Sequence, residues 1–203
     1  MKKTLFLLAI ASFALLKSQA QFVLNPQAGI TAQTAIKALD NEEFKARVGY
    51  TLGTDARFGS RFYFQPGLYF SAVTSEYQYE DGVDTTDYDY KTDFQRQTLK
   101  LNAKAGYNIV HKDGFKLRVN AGPSFDVLLN AKSDNDAIDD DDFKKGFVNL
   151  DAGVGLDIWF VSVDLSASYG LTKAFDNTTT ENNTRFLTGF LTVGIVLGNG
   201  LKD

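Results

Sequence analysis

Cysteine is absent from the 203 residues, and histidine occurs once, as His111. The first absence excludes a disulfide framework, a thiolate metal site and a cysteine nucleophile. The second removes histidine-rich metal sites and most imidazole relays. Basic residues are not in excess, with 21 Lys and Arg against 25 Asp and Glu, so nucleic acid is not an expected partner. There is no phosphate loop, zinc motif or dinucleotide fingerprint, and no cofactor is expected. Beyond residue 20 no apolar run approaches the ~20 residues of a membrane-spanning helix.

The first twenty residues stand apart. MKK is a positive n-region, LFLLAIASFALL an apolar h-region, and KSQA supplies Ser18 and Ala20 before a cut at Gln21. This is the pattern of a secretory signal peptide. The apolar run is too short for an anchor, and no Cys follows for lipoprotein attachment. Without Lys2, Lys3 and Lys17 the chain keeps 18 basic against 25 acidic residues, a net charge of −7. The expected organisation is a signal peptide over 1–20 and one domain over 21–203. A chain that leaves the cytoplasm without a spanning helix is soluble or is a membrane barrel. Only helices and closed barrels satisfy every backbone group in lipid.

What the mature chain does contain is alternation. In VNLDAGVGLDIWFVSVDLSAS, from residue 148, apolar side chains fall at 148, 150, 152, 154, 156, 158 and 160. The parity then flips to 161, 163, 165 and 167. Period two means β-strand. A two-residue turn at Trp159-Phe160 sets Ile158 opposite Val161, Leu156 opposite Val163, Val154 opposite Leu165 and Ala152 opposite Ala167. Every pair is then apolar on one face. The turn lacks Asn-Gly or Asp-Gly, so its type stays open.

The same reading gives eight strands, near 24–34, 46–58, 62–78, 94–109 and 115–130, then the two strands of this hairpin and 185–197. Short turns at 59–61, 111–114 and 159–160 alternate with longer links near 35–45, 80–92, 131–145 and 176–183. An even strand count with all long loops at one end describes an eight-stranded antiparallel up-and-down transmembrane β-barrel of a Gram-negative outer membrane. The polar face of the last three strands is mostly Gly, Ser, Thr, Asn and Asp, with Phe190 an exception. Small groups suit the narrow interior of eight strands. The apolar face then meets outer-membrane lipid. Phe58, Phe62, Phe115, Trp159 and Phe160 gather at the short-turn end as an aromatic girdle.

Those faces send charges inward: Arg47, Arg57, Arg96, Lys100, Lys104, Lys116 and Arg118 against Asp55, Asp126, Asp151, Asp157 and Asp164. Counting from the turns, the periplasmic layer holds Arg57, Lys116 and Arg118 with Asp55, Asp157 and Asp164. Lys104 and Asp151 fall near the middle. Arg47, Arg96 and Lys100 lie further out with Asp126. Charges withdrawn from water must be paired, so a network that closes the lumen is expected. The alternative is a charged narrow channel or a barrel that binds a small ligand.

The loops add little chemistry. SDNDAIDDDDF in 131–145 carries six Asp, but the spacing departs from the EF-hand pattern, and a solvated acidic loop with no metal is expected. The loop 80–92 places Tyr88 and Tyr90 among acids, at the outer headgroup level or as contacts for a partner. Asn177-Thr178-Thr179 and Asn182-Asn183-Thr184 read as polar loop. His111 reads as a turn residue in HKDG, and no nucleophile is placed beside it, so no catalytic residue is expected.

Four stretches carry a family resemblance: RFYFQPGLYFS, LRVNAGPSF, VNLDAGVGLDIWF leading into VSVDLSASYGLT, and FLTGFLTVGIVLG. The chain resembles the small outer-membrane β-barrel family that includes PorT-like proteins. It shares a Q-P-x-L-x-Y/F strand at Gln65–Phe70, an A-G-P strand at Ala121-Gly122-Pro123 and a G-x-G strand at Gly153-Val154-Gly155. The resemblance spans nearly the whole mature chain. It implies an envelope role, and some members are linked to protein secretion; the expected function is non-enzymatic, in envelope structure, adhesion or a secretion assembly, with envelope or secretion-complex proteins as possible partners. It carries over no functional residue. Barrels of this kind often end on an aromatic residue; here the last residues are GNGLKD, so the assembly signal lies further in or is read loosely.

Overall fold

The computed structural model describes residues 21–36, 42–46, 48–79, 91–133, 145–172 and 185–198. Ten hydrogen-bonded segments form one sheet. They amount to eight strands, because two segments continue their neighbours. β1 is Phe22–Ile36, and β2 is Glu42–Ala46 with Val48–Gly59. β3 is Phe62–Tyr79, β4 Lys91–Lys112, β5 Phe115–Ser133 and β6 Gly146–Ile158. β7 is Val161–Gly170, and β8 is Arg185–Ile195 extended by Leu197–Gly198. Both parts of β2 pair with β3. The extension of β8 keeps the β1 register, with Val23 opposite Gly198 and Gln27 opposite Gly194. Each strand pairs antiparallel with the next, and β1 pairs β8 through Ile36 opposite Arg185. The sheet therefore closes and leaves no edge, the barrel solution for backbone in lipid.

Residue chemistry sets the faces. Val154 is 48 % exposed on the outside, whereas Asp157 is 4 % exposed on the inside. The same inversion of a soluble fold runs around the sheet. Leu24, Ile30, Leu52, Leu101, Leu165 and Val193 face out, while Asn25, Gln27, Thr51, Gln65, Asn102 and Thr192 are buried within. The apolar surface turns outward because its solvent is acyl chain, and the polar groups find partners inside the barrel, on neighbouring strands and across the bore.

The hairpin of β6 and β7 has the register that alternation dictates, with Ile158 opposite Val161, Val154 opposite Leu165 and Ala152 opposite Ala167. Trp159 has φ 55, and no positive φ occurs at Phe160. That combination marks a type II′ turn, which usually takes Gly first. The β4–β5 connection is shorter than the HKDG stretch suggests. Its turn is Asp113-Gly114, and His111 lies in β4 opposite Lys116. The correction has a physical cause: Gly114, at φ 71, supplies the left-handed residue, so the two positions before Asp113 stay extended.

The lumen and the candidate functional site

Polar contacts fill the bore at four levels. Nearest the short turns, Arg57 Nη1 donates to Asp157 Oδ2 at 2.6 Å. Arg118 is 0 % exposed, and its Nη2 reaches Asp157 Oδ1 at 2.8 Å and Asp164 Oδ2 at 3.0 Å. Ser162 accepts from Arg118 at 2.8 Å and donates to Asp164 at 2.8 Å. Four strands are thereby tied at one level, since these groups come from β2, β5, β6 and β7. Lys116 sits half-buried at the periplasmic mouth and donates to Gln21 at 3.1 Å.

Above this level, Asp55 Oδ2 accepts from the Tyr69 hydroxyl at 2.7 Å and from the Gln27 amide. Thr192 donates to Gln27 at 2.6 Å, which brings β8 into the same chain of bonds. Further out, Lys100 Nζ lies 3.1 Å from Asp126 and 3.5 Å from Asp151. It donates to Ser168 at 2.8 Å and sits 5.4 Å from the Phe190 ring centre. Outermost, the Arg96 guanidinium lies between two rings, 5.2 Å from that of Phe147 and 4.8 Å from that of Phe186. Its Nη2 donates to Gln33 at 2.8 Å.

The bore is narrow enough that large inward groups need glycine opposite them. A β-carbon on Gly155 would stand 2.5 Å from Arg118 Cζ. One on Gly106 would stand 2.1 Å from the Tyr63 ring, and one on Gly53 2.3 Å from the Tyr69 ring. Among the described residues, two cavities lie in the bore, each with about 30 Å³ of room, enough to hold water. Arg57 and Asp157 line the periplasmic one. Lys100, Lys104, Asp151, Asp164 and Phe190 line the other, at mid-height. The cluster centred on Arg118 stands between them.

Several inward residues meet partners other than those counted from the turns. Asp151 bonds with Lys100 and not with Lys104, because barrel shear slides β6 relative to β4 by more than a turn count can register. Among the described residues Lys104 has no carboxylate within ion-pair distance; it faces the mid-height cavity instead. Phe147 and Phe186, which clasp Arg96, escaped the sequence reading. The available signal was parity: Phe147 falls on the polar face of a strand whose other apolar residues are even-numbered. Arg47, Tyr88, Tyr90, residues 1–20, the acidic run 134–142 and both Asn-x-Thr triplets lie outside the described residues. Among the described residues no three potential metal ligands cluster.

On the outer wall, Phe58, Phe62, Phe115, Trp159 and Phe160 are all exposed and all flank the short turns. Phe22 joins them, 5.2 Å from Phe58 between ring centres. Trp159 donates its backbone N–H to Gly114 at 2.8 Å, which couples two neighbouring turns. An apolar wall banded by aromatics around a polar bore defines a class: the small transmembrane barrels of the Gram-negative outer membrane.

The chain belongs to the family described as outer membrane protein beta-barrel domain, which matches residues 17–176. Its location is the outer membrane. Among solved structures it is similar to Neisserial surface protein A, at 17 % identity and a TM-score of 0.51. That alignment covers 90 % of this chain and 100 % of the other. It is also similar to the outer membrane protein OprG from Pseudomonas aeruginosa, at 10 % identity and a TM-score of 0.52, covering 91 % of this chain and 99 % of that one. At these identities the likeness is one of fold. No curated protein matches the sequence.

Proposed function

We propose that this protein is a non-enzymatic barrel whose lumen is closed by fixed ion pairs, and that it serves the envelope as a rigid carrier of acidic extracellular loops. The observation that supports this most directly is Arg118, fully buried and held by Asp157 and Asp164 between two small cavities. A guanidinium so placed costs several kcal/mol to strip of its partners, so thermal motion seldom opens a path. With the bore occupied, the surfaces left for function are the loops and the wall. Envelope structure, adhesion and membership of a secretion assembly all use such surfaces. The PorT-like placement and the leader over 1–20 belong to the same proposal. The placement rests on the Gln65–Phe70, Ala121–Pro123 and Gly153–Gly155 motifs, each of which falls within a barrel strand.

A narrow channel is the second reading, and the mid-height cavity beside Lys104 is what favours it. Planar bilayers separate the two. Purified protein that migrates as the heat-modifiable folded form should give no sustained current at 100 mV. Steady unitary conductance from that material would replace the closed barrel with the channel.

A further inference from the structure

The wall of the barrel carries two cations at its periplasmic end that the ion pairs of the lumen do not use. Arg61, in the β2–β3 turn, lays its guanidinium over the outer face of Tyr107, 5.7 Å from the ring centre. Tyr107 also packs against Phe62, at 4.7 Å between centres. The turn is held from β4 at two points. The Asn108 backbone N–H donates to the Arg61 carbonyl at 2.8 Å, and the Asn108 side-chain amide donates to the Ser60 carbonyl. The guanidinium is thus presented by a fixed loop against a fixed ring.

Lys112 owes its position to a bulge. Strict alternation along β4 would turn residue 112 inward with Asn108. The register shifts between Asn108 and Val110, after which Val110 stands opposite Leu117, His111 opposite Lys116 and Lys112 opposite Phe115. Bulges re-aim side chains in this way. Lys112 therefore emerges on the outer wall beside exposed Phe115, and His111 turns in. Among the described residues no carboxylate lies within ion-pair distance of Arg61 or Lys112, and the exposed acid of the adjoining turn is Asp113.

Two outward cations on a wall of exposed Phe62, Ile109 and Phe115, level with the short turns, lie where the phosphates of the inner leaflet lie. We propose that this face of β3, β4 and β5 binds the headgroup of an anionic glycerophospholipid of the periplasmic leaflet. Arg61 takes the phosphate through its N–H groups, and Lys112 adds a point charge. The apolar side chains between them receive the upper acyl chain.

Trp159, the only tryptophan, is the reporter, because it packs beside the β4–β5 turn. The folded full-length chain is placed in phosphatidylcholine bilayers that contain brominated phosphatidylglycerol or brominated phosphatidylcholine at equal mole fraction. Quenching of Trp159 should favour phosphatidylglycerol about fivefold at low salt, and the preference should fade in molar salt. The double variant Arg61→Gln/Lys112→Gln should show a preference near one, while Arg185→Gln, at the opposite rim, keeps the wild-type value. Equal quenching by both lipids in the wild type overturns the proposal, as does a preference that survives the double variant. If the double variant does not fold, the salt titration of the wild type decides: a preference indifferent to salt is contrary to a headgroup bound by charge.

Discussion

Arg118 shows how much one residue can be asked to do in a bore this narrow. It has no exposure and two carboxylates within 3.0 Å. Replacing it with methionine leaves Asp157 and Asp164 buried with one cation fewer, a change that costs about 3–5 kcal/mol in other proteins. Urea unfolding from lipid vesicles, followed on a gel by heat-modifiable migration, should show Arg118→Met destabilised by that order. Asp126→Asn should lose less, because Lys100 retains Asp151 at 3.5 Å. At this scale the sequence disclosed which residues point inward, since parity alone fixes that. It did not disclose their partners. A turn count sets Asp151 level with Lys104, yet Asp151 bonds with Lys100, because a one-dimensional count carries no information on shear.

Among the elements, the β6–β7 hairpin was the most legible, and its turn the least. Alternation over 148–167 set the register that the strands adopt, because a slip of one residue would turn every apolar side chain inward. Nothing in the local sequence announces that Trp159 would take φ 55. The residue is held there by its indole, which packs on Gly114, and by its N–H bond to the Gly114 carbonyl. Backbone strain and aromatic contact can be separated by two variants. Trp159→Ala keeps the strained φ and loses the ring, whereas Trp159→Gly loses the ring and relieves the φ. Unfolding free energies from urea titration should rank the glycine variant above the alanine variant by about 1 kcal/mol. The bulge in β4 was equally invisible from sequence. Ile109 and Val110 are both apolar, so either fits the outer wall and the shift of register costs no hydrophobic contact.

At the scale of the whole molecule, closure was legible from an even strand count and from loops that alternate in length. The pairing of β1 with β8 completes it. The role of the barrel in its cell is less legible in the sequence, because packing dictates most of the residues in strands and the loops carry the remaining choice. The absence of cysteine makes the placement of the faces directly measurable. Single cysteines introduced in turn at positions 148 to 158 can carry a nitroxide, and the folded protein in bilayers can be read by spin-label collision with oxygen, which dissolves in lipid, and with a nickel chelate, which stays in water. Oxygen collisions should peak at 148, 150, 152, 154, 156 and 158 and fall at the residues between. A flat profile, or maxima for the nickel chelate at those same even positions, would contradict a barrel whose apolar wall faces lipid.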